Sequence, residues 1–505
     1  MVVEIDGINL SLEDIIKVAR HGEVVKLSNA AIKKIHQSRK ILESSVDKSK
    51  LIYGVNTGFG KLVEKCIPHD EIRQLQENLI LSHSAGVGKP LDQEVVRAMM
   101  LLRANSLAKG YSGVRCEIVQ TLTEMLNKKV HPLIPEKGSV GASGDLAPLA
   151  HMAAVMMGKG KAFFKGALLS GDAAMKQAEI EIVRFKAKEG IALINGTQVM
   201  SALVALAVAD SKRLLKIADL VGALTTYVLN GNISQFDEEL QKVRPHIGQA
   251  LTAENMRKLM GEGVPSSRNI QDAYSLRCIP QVHGAIRTAV EHARQVLEIE
   301  VNSATDNPLV FPETGKILSG GNFHGEPIAL IADYLKIALA ELGNISERRI
   351  NRLLHPDLNG DLPPFLAQNP GLSSGYMLAH YTAAGLASEN KVLAHPSSVD
   401  SIPLSGDQED HVSMGTNAAR HLREVVKNTG YILAIELLCA CQAREFISRP
   451  MPKALAVAYQ TVREEVPALK KDKDEEVYEH IEMASKIVWG DTLLGAVEEV
   501  IGSLN

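Results

Sequence analysis

Residue types and spacing first suggest chemistry at Gly138-Ser139-Val140-Gly141-Ala142-Ser143-Gly144-Asp145-Leu146-Ala147-Pro148-Leu149-Ala150-His151. Glycines at 138, 141 and 144 permit backbone conformations closed to residues with a Cβ. The apolar run from Leu146 to Met157 reads as a buried helix, with Pro148 tolerated only in its first turn. A strained loop thus feeds a helix N-terminus, where exposed N–H groups favour developing negative charge. Small residues around Ser143 also let one backbone atom approach another closely. Chemistry by the backbone itself is open to such a loop, as is the plainer role of a glycine turn before a core helix.

Other groups could act beside it. Tyr53 sits in the glycine-rich stretch Leu51 to Gly60, and a phenol reaching out of such a loop can serve as a base if its pKa is lowered. The glycines there do not complete a dinucleotide fingerprint, and no βαβ pattern surrounds them. Ser82-His83 ends a helical pattern before Ala85-Gly86, where a histidine also suits the helix dipole. Asn195 stands at an apparent helix start and reads as a cap. Gln271, Tyr274 and Arg277 place an amide, a phenol and a guanidinium at intervals of three, and Arg277 is suited to a two-pronged grip on a carboxylate. Ser405-Gly406-Asp407-Gln408 reads as a capping box, with Glu409 in the first helical turn where the dipole favours a carboxylate.

The stretch Gly138 to His151, with Ala142-Ser143-Gly144 inside it, resembles the signature of the histidine and aromatic amino acid ammonia-lyases. In that family the triad condenses on itself with loss of two waters. The product is 4-methylidene-imidazol-5-one (MIO), an electrophile made from the chain, and no external cofactor or metal is implied. The resemblance implies that Ser143 becomes the methylidene, that Tyr53 removes the β-proton, and that Tyr274 shares in catalysis. It further implies substrate or prosthetic-group contacts for His83, Asn195, Gln271, Arg277, Phe323 in Gly320 to Glu326, and Glu409. Ser82-His83 and Glu409 are similar to the members that act on histidine, whereas other members carry different residues there. Ser401 to Asp407, Ile279 and His283 depart from the pattern of those members, but they flank these contacts. Matching segments run from about Leu51 to Met414. The family implies a homotetramer with sites shared between subunits, and a fumarase/aspartase-like architecture.

These residues need a scaffold. Aromatics make up only 4% of the 505 residues, and neither alternating βαβ units nor sandwich spacing is present, so the class is mainly α, a bundle of long helices with small β-hairpins. Helical patterns cover Ser11 onward, Ser28 onward, and about 70–83, 92–109, 113–127, 195–230, 281–303, 326–354, 374–393 and 406–446, with three shorter ones to the C-terminus. Lys161 to Gly171 and Leu309 to Leu318 read as hairpins. A charged, glycine-containing region around Glu238 to Arg268 separates two of the long tracts. A division into residues 1–200, carrying the loop, and 201–505, the long-helix bundle, follows.

A net charge of −4 without basic blocks speaks against a nucleic-acid surface. The most apolar run, Val199 to Ala209, is too short to span a membrane, and the N-terminus has no signal-peptide pattern. Five scattered cysteines read as reduced thiols in the cytoplasm. Competing chemistries fit less well. A pyridoxal enzyme using Lys137 would need a phosphate cradle. A serine hydrolase would need a later second glycine and a strand leading into the loop. A tyrosine or phenylalanine lyase or aminomutase is opposed by Ser82-His83 and Glu409, and an inactive scaffold by the joint presence of Ser143, Tyr53 and Arg277.

Overall fold

The computed structural model describes residues 2–47, 51–58, 60–261, 270–471 and 473–505. Phe59 and Arg268, which fall within expected loop regions, lie outside them. The chain is mainly α with small two- and three-stranded sheets. It forms two compact units: one from Met1–Ala209, Ala293–Asp333 and Pro396–Arg420, the other from Asp210–His292, Tyr334–His395 and His421–Asn505. Residues 1–200 thus fall in the first unit, and two later segments return to it.

Within the first unit, Ser11 caps the helix Leu12–His21 by accepting a hydrogen bond from the Asp14 N–H, and Gly22 closes it at φ +70°. The flanking strands Val2–Ile5 and Val24–Leu27 pair in parallel, a contact between segments too distant to be read from local pattern. Helix Gln93–Ala108 is buried nearly all round. Helix Leu146–Met156 is likewise buried along most of its length. Leading into the central loop is the short strand Pro135–Lys137, antiparallel to Val87–Pro90. That corrects the expectation of no strand there. A serine-hydrolase elbow still does not result, because the residues from Gly138 to Asp145 intervene before the helix.

The second unit is tied by buried charge. The Arg349 guanidinium grips Glu436 at 2.6 and 2.8 Å, and Thr225 and Ser346 donate to the same carboxylate at 2.7 and 2.6 Å. Removing one partner of such a pair costs about 3–5 kcal/mol. The charged stretch after Glu238 holds helices Glu238–Lys242 and Ile247–Met260 rather than only a connection.

Two boundaries differ from the sequence reading in ways that matter for the site. The last long helix begins at Gly415, not near 406. Ser405, Gly406 and Asp407 have φ of +53°, +60° and +64°, so the backbone turns back on itself and Leu404 exchanges hydrogen bonds with Glu409. No capping box forms, and Glu409 is carried on a tight turn instead of a helix. Asn195 follows the helix Glu189–Ile194, its N–H donating to the Ile191 carbonyl, and the next helix starts at Gln198.

Candidate active site

The loop from Gly138 to Asp145 is held at its end by Asp145, whose side chain is fully buried. One carboxylate oxygen accepts from the Val199 and Met200 N–H groups at 2.9 Å each, filling the orphan donors of the helix that starts there. The other accepts from Ser139 Oγ at 3.0 Å and from Thr416 Oγ1. Burial pushes the carboxyl pKa up against these hydrogen bonds. One side chain thereby fixes the loop to the N-terminal turns of helices Gln198–Val228 and Gly415–Arg444. The Met414 N–H donates to the Val140 carbonyl at 2.9 Å, and the Asp145 N–H to the Gly196 carbonyl at 2.7 Å.

Glycine is required where the loop turns. Gly144 has φ +71°, and a Cβ there would collide with the Gly196 backbone. The chain doubles back so tightly that the backbones of Ala142 and Gly144 run alongside each other. N-termini of helices beginning at Leu146, Gln198 and Gly415 approach the loop, and they supply positive potential where negative charge would develop.

A cavity of about 490 Å³ opens over this loop, walled by Tyr53, Ala142, Ser143, Asn195, Phe323 and Glu409. A neighbouring cavity of about 580 Å³ shares Tyr53, Ser143, Asn195 and Glu409 and adds His83. Ser143 Oγ donates to Glu409 Oε1 at 3.2 Å. The turn at 405–407 is what brings that carboxylate over the loop.

Tyr53 is positioned by its own loop. Gly54 N–H donates to Thr57 Oγ1 at 3.0 Å, Ile52 N–H to Asn56 Oδ1 at 2.8 Å, and Gln76 Nε2 to the Gly54 carbonyl at 3.2 Å. The phenol oxygen accepts from the Gly60 N–H at 3.2 Å. Its pKa is raised from the ordinary 10, first by burial and also by the Glu409 charge. This is opposite to the lowering that a base would want, and burial is its leading cause.

His83 ends the helix Ile72–His83, with Nδ1 at 3.0 Å from Ser82 Oγ. Burial lowers its pKa, so a neutral ring faces the cavity at pH 7. The Asn195 carbonyl accepts from Arg103 Nη1 at 2.9 Å, while its buried side-chain Oδ1 has no partner among the described residues. An orphan acceptor at the cavity wall is a ready contact for a bound group.

Gln271, Tyr274 and Arg277 belong to the second unit. The first two are exposed, Tyr274 to 71%, and the Arg277 guanidinium lies 4.8 Å over the Tyr274 ring.

Arg103 and Asp145 were given no role from sequence. Arg103 is fully buried, its pKa lowered to about 10 by burial, and it holds both the Asn195 carbonyl and Gln198 Oε1 behind the loop. A charged residue inside the run Met99 to Ala104 was a signal, since that helix has no polar face to put it on.

Residues 10–465 match the family model for aromatic amino acid lyases. The chain is 55% identical over 504 residues to a histidine ammonia-lyase of Caldanaerobacter subterraneus subsp. tengcongensis, covering 99% of this chain and 98% of that one. Among solved structures it is similar to histidine ammonia-lyase from Trypanosoma cruzi, with a TM-score of 0.92 and 41% identity over 99% of this chain and 95% of that one. Similar too is tyrosine aminomutase from Streptomyces globisporus, with a TM-score of 0.95 and 38% identity over the whole of both chains. With the doubled-back triad, the Asp145 anchor and the cavity above them, these likenesses place the chain in the aromatic amino acid lyase family.

Proposed function

We propose that the protein is an ammonia-lyase that converts L-histidine to trans-urocanate and ammonia, the first step of histidine degradation. The observation that carries this reading is the meeting of Glu409 with Ser143 at 3.2 Å in a cavity that Tyr53 also lines. A panel of L-amino acids offered to the purified protein tests it, with urocanate absorbance as the signal for histidine.

Ala142, Ser143 and Gly144 fit the MIO group, because the loop already doubles back between Ala142 and Gly144 and the unpartnered Asn195 Oδ1 lies at the same wall. Once formed, that group supplies an electrophile for the amino nitrogen, which is otherwise a poor leaving group. The chain's own residues do the rest. Tyr53 takes the β-proton. Glu409 and the neutral His83 hydrogen-bond the imidazole, which presents both a donor and an acceptor. Arg277 holds the α-carboxylate so that base and proton meet at reacting distance, and Gln271 and Tyr274 complete the substrate's surroundings.

We assign the working form to a homotetramer in which sites are completed by several subunits. Supporting this, helix Glu326–Leu354 leaves Leu330, Tyr334 and Ile337 about half exposed at spacings of four and three, the rhythm of a helix-pairing seam. All five cysteines are unpaired, which suits the cytoplasm. No helix among the described residues is long and apolar enough to cross a membrane.

If the Tyr53 phenolate is the base, its raised pKa makes the active fraction grow about tenfold per pH unit below that value. The expected profile of kcat/KM climbs on the alkaline side, and Tyr53→Phe removes the climb. Stability runs the other way. A raised folded pKa favours the neutral phenol, so its share of stability is whole below the unfolded value of about 10 and is lost as pH rises through the folded one. A profile identical in Tyr53→Phe and wild type would assign the proton transfer to another group.

Arg277→Lys keeps the charge but loses the planar fork. Transition-state binding should weaken by roughly 1.5–3 kcal/mol, the range for hydrogen bonds to charged groups. Histamine, which lacks the carboxylate, should not react. Unaltered kinetics in Arg277→Lys would give the carboxylate to a different cation.

A further inference from the structure

Beside the loop, two histidines and a glutamate come together without any part in the proposed reaction. His324 follows the turn at Gly320-Gly321, its N–H donating to the Gly321 carbonyl at 2.9 Å, and Glu326 is the first residue of the next long helix. His411 lies in the non-helical stretch ahead of Gly415. One ligand atom from each of the three falls within 4.8 Å of the others. The two imidazole rings are parallel, inclined by 5°, with centroids 5.7 Å apart.

Two of these groups are unsatisfied. His324 Nε2 and Glu326 Oε2 are both buried, and neither has a hydrogen-bond partner among the described residues. A ring nitrogen and a carboxylate oxygen left unsatisfied within one three-residue cluster can both be satisfied by a cation. From these groups we infer that His324, Glu326 and His411 form a binding site for a divalent transition-metal ion of the Zn²⁺ type.

The donor set selects the class. Two imidazoles with one carboxylate suit Zn²⁺ and its neighbours in the first transition row, whereas Mg²⁺ prefers an all-oxygen octahedron. Three protein ligands leave at least one position for water or another donor, as in zinc sites that stay open. His324 and His411 also wall the 490 Å³ cavity, so that position is reachable from it. Closure on an ion needs a movement. Bonds of about 2.0–2.1 Å put tetrahedral donors about 3.3 Å apart. Parallel rings in separate planes cannot both aim an in-plane lone pair at one point. The exposed His411 has the freedom to turn, while His324 and Glu326 are held more closely. The site is therefore preformed on two ligands and completed by the third.

The test uses whole protein freed of metal with a chelator and titrated with Zn²⁺ against a chromophoric chelator, with no amino acid present. About one Zn²⁺ should bind per chain. Mg²⁺ should not compete. His411→Ala and Glu326→Gln should each weaken binding at least about tenfold, the lower end of what loss of even an outer-shell partner costs. Zn²⁺ should raise the Tm of wild type and not that of His411→Ala, whose exposed position makes a folding failure avoidable. Cys66→Ser should leave binding unchanged, since the exposed Cys66 thiol is the obvious rival ligand. Absence of saturable binding, binding unaltered in both ligand variants, or binding lost in Cys66→Ser would each overturn the site. Because no substrate is present, none of these outcomes bears on the lyase reading.

Discussion

Ser143→Ala is expected to abolish turnover by about 10³-fold or more, on the scale seen when the central group of a covalent mechanism is removed, while leaving the protein folded. The side chain lost donates a hydrogen bond to Glu409. The loop's conformation instead depends on Gly144, which the substitution spares, and on the Asp145 anchor. Intact mass reads the same question from another side. Active wild-type protein should be lighter than its sequence by two waters, and Ser143→Ala should not show that loss. Wild-type mass equal to the sequence, in a sample that deaminates histidine, would remove condensation of the triad from the mechanism.

Glu409→Gln should produce the second large effect. If Glu409 and His83 hydrogen-bond the imidazole, an apolar ring would leave both unpaired, and sites of that kind can discriminate by about 10⁴ or more. L-Histidine should be preferred over L-tyrosine by such a margin in wild type. The amide keeps the shape of the carboxylate but not its charge, so histidine turnover should fall far more than any residual activity on phenylalanine. A second readout comes from Tyr53. The Glu409 charge raises the phenol's pKa, so removing it makes the phenolate easier to form, and the alkaline climb should move to lower pH in the variant. Wild type that prefers tyrosine, or a variant that loses both activities in equal proportion, would return the assignment to an aromatic lyase or aminomutase.

Local periodicity made much of the scaffold legible. The helix Glu326–Leu354 has the limits expected from its pattern, and Ser11 caps its helix as its residue type implies. Limits set by distant contacts were not legible. The parallel pairing of Val2–Ile5 with Val24–Leu27 leaves no local mark. Ser405-Gly406-Asp407-Gln408 has the spacing of a capping box, yet three successive positive φ values make it a turn. The consequence for the site was real: Glu409 reaches Ser143 from that turn, and the helix dipole invoked for it belongs to residues that begin at Gly415. Burial was the other blind quantity. Sequence could name Tyr53 as a phenol in a glycine loop, but the sign of its pKa shift depended on how deeply the fold would enclose it. Arg103 and Asp145 escaped notice for a related reason, since each acts from beneath the cavity on residues about 50 to 270 positions away.

Asp145 binds Ser139, Val199, Met200 and Thr416 at once, and Thr416 is 271 positions further along the chain. The pocket around the triad therefore cannot close until the chain has been made at least as far as Thr416, where one of its ties lies. Under the proposed condensation, self-modification of the triad would follow the folding step that brings Thr416 to Asp145. A newly made chain would carry only an ordinary peptide until its helices had assembled, so a reactive centre would not meet cellular thiols and amines before it was enclosed. The missing mass of two waters would then serve as a stamp of maturity, separating molecules that have reached the native state from those that have merely been synthesised.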